Sequence, residues 1–278
     1  MNPQEQKQAL DKQIKENMAQ IKNKIIVMSN KGGVGKSTTS VNLAYSLSRK
    51  GYNVGLLDAD LHGPSTVKML NLEKSQLSME NNMIVPVRAA ENLSVISMSM
   101  VLEDKDAPVI WRGPLKITAI KQFLGEVKWG ALDYLIIDSP PGTGDEPLTV
   151  MQLIPEMTGA VIVTTPQLVS LIDVKKGINF LKQLNIPIYG VLENMSYLIC
   201  PHCGKSINVF GPSHSEEVAK EMEIDFLGKI PLEPKVSEQS DNGTPFITDI
   251  DTPSSKAFME IVEKIINNAP KRNLSVNI

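Results

Sequence analysis

The most constraining stretch of the chain is the run Lys31-Gly32-Gly33-Val34-Gly35-Lys36-Ser37-Thr38, which follows the apolar segment KIIVMS from Lys24 and opens the helical pattern STTSVNLAYSLSRK. Glycines at such a strand-to-helix turn let consecutive backbone N–H groups curl around phosphate oxygens, and the helix N-terminus adds partial positive charge. Lys36 is placed to reach the β- and γ-phosphates of a nucleotide, and the Ser37 hydroxyl to bind Mg2+. The general pattern, G-x4-G-K-[ST], expects glycine at position 30, where this chain has Asn30. Asparagine tolerates positive φ better than most residues, so the cradle is expected to survive the change. Its phosphate-binding residues are then Asn30, Lys31, Gly32, Gly33, Val34, Gly35, Lys36, Ser37 and Thr38.

Such a loop needs a sheet behind it. Apolar runs recur at NVGLLD, LSVISM (93–98), YLIID (134–138), GAVIVTT (159–165), IPIYGVLEN (186–194) and FLGKIP (226–231), most of them separated by helical patterns. Solid apolar runs without alternation suit strands covered on both faces. The expected fold is α/β, a mostly parallel sheet of about seven strands with helices on both faces in three layers. Gly51 is a plausible stop for the first helix of that domain, and MIVPVR a peripheral hairpin within the polar stretch 71–92. Leu10, Ile14, Met18 and Ile21 recur at helical spacing, so residues 1–22 are expected as an N-terminal helical extension and 23–278 as the phosphate-binding domain.

Composition narrows the partners. Lys plus Arg number 28 against 31 Asp plus Glu, a net charge of −3, which leaves no whole-chain electrostatic footprint for nucleic acid. No apolar run reaches the ~18 residues that span a bilayer, and the N-terminal residues are polar where a signal peptide is apolar. The expectation is a cytoplasmic protein with neither nucleic acid nor membrane as partner.

Carboxylates fall at the ends of expected strands. Asp58 closes one run, Asp60 follows it, and Asp138 closes YLIID. The C-terminal ends of parallel strands are where ligands collect, and an acid after a hydrophobic strand holds Mg2+ through water. The run after Asp138, Ser139-Pro140-Pro141-Gly142-Thr143-Gly144-Asp145, suits a loop that senses a γ-phosphate. Lys31, five residues before Lys36, makes the loop resemble the deviant Walker A motif of the MinD/ParA/nitrogenase-iron-protein class. That resemblance implies a nucleotide-sandwich dimer in which the extra lysine crosses to the partner's phosphates. A solvated surface lysine is the alternative. The chain has no N-K-x-D tetrapeptide for guanine, which favours ATP. On the same resemblance, Asn194, Pro231 and Leu232 are candidate adenine contacts.

The two cysteines, Cys200 and Cys203, form a C-P-H-C-G knuckle beyond a strand. Two thiolates make half of a metal site, and a homodimer that apposes two pairs supplies the four that a tetrahedral zinc or a [4Fe-4S] cluster wants. An iron-sulfur cluster, zinc, and a redox or inert thiol pair all remain open, because metal identity is weakly coded by ligands alone. His62, His202 and His214 have no metal spacing and are expected on the surface or in loops.

The segments SNKGGVGKST, DADLHGPS, WRGP (111–114), DYLIIDSPPGTGDE, ENMSYLICPHCG and GKIPLEP, in that order, resemble the Mrp/ApbC class of P-loop ATPases, the iron-sulfur cluster carriers, over residues 24 to about 265. The resemblance implies catalytic roles for Lys31, Lys36 and Asp60, with Asp60 positioning the attacking water. It implies Mg2+ support from Asp58 and Asp138, and a labile cluster bridging two subunits at Cys200 and Cys203. The implied activity is ATP hydrolysis coupled to cluster transfer, with apo iron-sulfur proteins as recipients and a cluster-assembly scaffold as donor. The N-terminal cysteine-rich segment and extra small domain of some members are missing, so stable ferredoxin-like storage is not expected. Two other functions compete, a MinD/ParA-like positioning switch and a zinc-stabilised nucleotide-binding dimer. A switch that binds membrane would need an exposed amphipathic end. The last helical stretch, SSKAFMEIVEKIINNA, is instead expected to pack on the sheet, because Glu260 and Glu263 dilute any basic face.

Overall fold

The computed structural model describes residues 3–60, 65–101, 113–268 and 270. Helix α1 (Pro3–Ala19) leads into β1 (Ile21–Met28), followed by α2 (Lys36–Arg49) and β2 (Val54–Asp58). A short helix α3 (Thr66–Met69) and a hairpin of β3 (Ser78–Glu80) and β4 (Met83–Val85) precede β5 (Val87–Ala90) and β6 (Leu93–Ser97). Next come α4 (Gly113–Gly125), β7 (Leu132–Asp138), α5 (Asp145–Leu153), β8 (Gly159–Thr164), α6 (Leu168–Gln183) and β9 (Ile188–Glu193). The last elements are the two-residue strands β10 (Leu198–Ile199) and β11 (Ser206–Ile207), then α7 (Ser215–Glu221), β12 (Phe226–Lys229), α8 (Pro234–Asp241) and α9 (Pro253–Asn267).

Eight strands form one sheet in the order β12-β9-β8-β1-β7-β2-β6-β5. The seven apolar runs named above are its parallel strands, and β5 adds an antiparallel edge beside β6. The eighth strand comes from MIVPVR. Met83–Val85 pairs back on β3, while Val87 and Arg88 continue into the main sheet. Pro86 between them cannot donate to a ladder, so one run becomes two strands.

Successive residues of each central strand face opposite layers. Ile26, Met28, Leu135 and Ile137 pack with Ile14, Met18, Phe123, Val150, Ile178 and Leu181 from α1, α4, α5 and α6. Ile25, Val27, Leu56 and Ile136 pack with Val41, Leu47, Phe258 and Val262 from α2 and α9. This is the three-layer α/β/α arrangement. The apolar stripe of α9, Phe258, Ile261, Val262 and Ile265, is buried against the sheet. Among the described residues no helix is long and apolar enough to cross a membrane.

The N-terminal boundary differs from the expected one. Helix α1 ends at Ala19, and Ile21, expected as its fourth apolar position, pairs with Leu132 as the first residue of β1. Asn17 sets the stop. Its side chain donates to the Leu124 and Val127 carbonyls, both at 2.8 Å, and its own carbonyl accepts from Gln20 at 3.2 Å. These bonds satisfy carbonyls left over at the end of α4 and lock α1 to it.

Candidate functional site

The C-terminal ends of the seven parallel strands lie at one end of the sheet, and the loop 29–35 rises there from β1. Gly33 and Gly35 take φ of 77° and 88°, a region that L side chains resist. A Cβ on Gly35 would sit 2.1 Å from Asn194 Nδ2, whereas one on Gly32 or Gly33 would meet nothing within 4 Å. The loop is therefore backed tightly on one side and open on the other, a hollow that fits phosphate. Asn30 is not among the residues with positive φ, so the expected reason for its tolerance is corrected. Its side chain instead reaches α6, where Nδ2 donates to the Asp173 carbonyl and Oδ1 occupies the space a Cβ on Gly177 would need.

Lys36, at the start of α2, lies in a cage of acids. Its Nζ donates to Asp138 Oδ1 at 2.8 Å and stands 3.6 Å from Asp60 Oδ2. Asp138 also accepts the Ser37 hydroxyl at 2.6 Å and the Ser40 hydroxyl at 2.7 Å. Asp58 accepts the Thr66 hydroxyl at 2.7 Å, the Ser97 hydroxyl at 3.1 Å and the Asp60 N–H at 3.1 Å. Sequence reading passed over Ser40, although its place one helical turn after Lys36 is the signal that would find it. Thr66 and Ser97 carried no local signal.

Asp58 and Asp138 are register partners on β2 and β7, both without solvent exposure. Burial, with the neighbouring Asp138 charge second, pushes the Asp58 carboxyl up to about 7. A carboxyl raised in the folded state stabilises the fold below its unfolded pKa, and that stability is lost as pH rises through the folded value. Between pH 5 and pH 8 the nucleotide-free protein should therefore lose on the order of 2 kcal/mol from this group. Asp58→Asn removes the loss, so the variant should melt above wild type at pH 8 and the gap should shrink at pH 5. Thermal melts at both values check this, and a gap independent of pH would refute it. The donor set also fits Mg2+, which keeps several waters and needs few protein ligands. Ser37 and Asp138, which share a hydrogen bond, are the residues that would hold it.

Lys31 stands outside this cage, 38% exposed, with Nζ 3.1 Å from Asp173 Oδ2 on α6. Asp173, 142 positions further along the chain, was invisible to sequence reading. Asn194 donates from Nδ2 to the Val34 carbonyl at 3.0 Å and so buttresses the phosphate loop. It also lines a cavity of about 280 Å³ with Thr38, Pro231, Leu232 and Val236. The three candidate adenine contacts thus share one hollow beside the start of α2.

Cys200 and Cys203 lie on the turn between β10 and β11. The Cys200 N–H donates to the Lys205 carbonyl and the Gly204 N–H to the Cys200 carbonyl, both at 2.9 Å, and Gly204 has φ of 69°. Both thiols are free, and Cys203 is exposed. Hydrogen bonds from the backbone N–H groups of His202 and Cys203, and then from the Cys203 side chain, hold the Cys200 thiol below its ordinary range. Among the described residues no group of three or more His, Cys, Asp or Glu converges as a metal site, so one chain offers this knuckle two ligands. His202 is exposed in the turn, and His214 pairs with Glu217 at 2.9 Å. His62, the rest of segment 61–64, Trp111 and Arg112 lie outside the described residues.

Comparison with known proteins places this geometry. The ParA family model, described as NUBPL iron-transfer P-loop NTPase, matches residues 20–266. An iron-sulfur cluster carrier protein from Methanocaldococcus jannaschii is 51% identical over 256 residues, 92% of this chain and 88% of the relative. A cytosolic Fe-S cluster assembly factor NUBP2 homolog from Dictyostelium discoideum is 48% identical over 247 residues, 87% of this chain and 93% of the relative. A nucleotide-binding protein from Archaeoglobus fulgidus, solved in complex with ADP, superposes with a TM-score of 0.76 at 40% identity, covering 84% of this chain and 92% of its own. A MinD cell division protein from Aquifex aeolicus shares the fold at a TM-score of 0.64 and 23% identity, covering 91% of this chain and all of its own.

Proposed function

The chain belongs to the ParA/NUBPL family of iron-transfer P-loop NTPases, and we propose that it is a cytoplasmic homodimeric ATPase that carries an iron-sulfur cluster to apo-proteins. The observation that carries this reading is the two-thiol knuckle of Cys200 and Cys203, on the excursion that leaves β9 at Asn194, where the chain touches the phosphate loop. Two such knuckles from two copies supply four thiolates, enough for a bridging [4Fe-4S] cluster. A pair of ligands on a surface turn suits cargo that must leave, because Cys203 is exposed and Cys200 only half-buried.

The remaining residues then divide the work. The backbone of residues 32–35 and Lys36 hold the phosphates, while Asn194, Pro231 and Leu232 bound the cavity for adenine. Ser37 and Asp138 would hold Mg2+, which would supply positive charge to the phosphates. Asp60, beside Lys36, positions the attacking water. Lys31 leaves Asp173 and crosses to the partner subunit's phosphates. Recipients are apo iron-sulfur proteins, and a cluster-assembly scaffold is the donor.

The test is transfer. Protein reconstituted anaerobically with iron and sulfide is mixed with an apo-ferredoxin, with and without ATP and Mg2+, and acceptor maturation is followed spectroscopically. Maturation faster than with equal free iron and sulfide supports the reading, and an equal or slower rate rejects it.

A further inference from the structure

Strand β9 ends on Glu193, and the chain then leaves the sheet for the excursion 194–214 that carries both cysteines. Glu193 is without solvent exposure. Its Oε1 accepts the Ser196 hydroxyl, and its Oε2 accepts those of Ser213, at 2.6 Å, and Ser215. No ion pair among the described residues includes it. A carboxyl group in such a place is costly to bury unless hydrogen bonds satisfy it, and here three hydroxyls do. Ser196 belongs to the outgoing root of the excursion, Ser213 and Ser215 to the returning one. One buried side chain therefore ties both roots together.

The same short segment touches the phosphate loop. Asn194 Nδ2 holds the Val34 carbonyl, and Gly35 packs directly on that amide. The backbone around it is pinned on every side. Asn194 N–H donates to the Thr164 carbonyl at 2.8 Å, Ser196 N–H to the Ile230 carbonyl at 2.9 Å, and Ile230 N–H to the Glu193 carbonyl at 2.8 Å. Met195, at φ 54°, turns the chain between them. A segment bound this densely moves as a unit, so a shift of the Val34 carbonyl has a direct route to the base of the knuckle.

We propose that Glu193 is the positioning residue that carries the state of the phosphate loop to the cysteine knuckle. Asn194 registers the loop through the Val34 carbonyl, and Glu193 passes that register to both roots of the excursion through its three serines. The proposal rests on the reading of Cys200 and Cys203 as the cargo site, and it names what links that site to the nucleotide. Coupling of this kind is reciprocal, so cargo on the knuckle also alters nucleotide affinity.

The experiment needs no cluster. Amide hydrogen exchange at residues 198–207 is measured on the full chain without metal, alone and with Mg2+ and a non-hydrolysable ATP analogue. Sedimentation velocity is run in parallel so that samples are compared at equal oligomeric state. In wild type the nucleotide should change exchange at the knuckle about fivefold or more. Glu193→Gln should bind the analogue as wild type does and lose the response, and Ser213→Ala should show it reduced. If Glu193→Gln fails to fold, Ser213→Ala decides. Exchange raised equally in both states, with the response to nucleotide intact, would make Glu193 a mere anchor and overturn the proposal. A wild-type knuckle that ignores nucleotide would overturn it too, while the cargo reading would still stand or fall on the transfer assay alone.

Discussion

Lys36→Ala should lower ATP hydrolysis by about a thousandfold or more, some 4 kcal/mol of transition-state stabilisation. In phosphoryl transfer the protein contributes mainly positioning and charge, and on the proposed reading this lysine would supply the cation at the β- and γ-phosphates. The structure adds a second effect. Lys36 is the cation of a buried cage, 2.8 Å from Asp138 and 3.6 Å from Asp60, with Asp58 paired to Asp138 across the sheet. Removing it leaves the buried Asp138 without its cation, a loss of about 3 kcal/mol in folding stability. Lys36→Arg should rescue neither activity nor stability fully, because a planar guanidinium does not replace a compact ammonium in so tight a space. Steady-state hydrolysis and thermal melts on the three proteins check both parts. An alanine variant that hydrolyses ATP within tenfold of wild type would remove Lys36 from the reaction.

Cys200→Ser and Cys203→Ser should each abolish cluster loading. Wild-type protein reconstituted without oxygen should hold about four iron and four sulfide per dimer, and either variant close to none. A hydroxyl is a poor substitute for a thiolate, and each substitution removes two of the four ligands because a symmetric dimer repeats it. Folding should be untouched, within about 0.5 kcal/mol, since the knuckle is a surface hairpin. Chemical analysis for iron, sulfide and zinc decides the matter. Zinc that stays bound and resists iron would turn the site into a structural one.

The glycine-rich turn between β1 and α2, the parallel strands and the two-cysteine turn are all legible in the sequence. Each is written in consecutive residues: a phosphate is wrapped by adjacent backbone N–H groups, a buried strand is an unbroken apolar run, and a thiolate pair sits two residues apart on one turn. The end of the first helix and the eighth strand are less legible for equally local reasons. Ile21 fits the spacing of a helix and the interior of a sheet alike, and Pro86 splits a run that reads as one hairpin.

Other features had no local trace. Asp58 faces Asp138 because β2 and β7 pair in one register across 80 positions, and a slip of one residue would have pointed the two acids to opposite faces. Lys31 found Asp173, Asn30 found Gly177 and Val34 found Asn194 only because α6 and β9 return to the side of β1. Thus the residues by themselves determined the phosphate-type loop and the thiol pair, since each lies within a few consecutive positions. Only the tertiary structure decided which charges share a cage and which segment joins the loop to the knuckle, because those depend on strand register and on the path of the chain between distant strands.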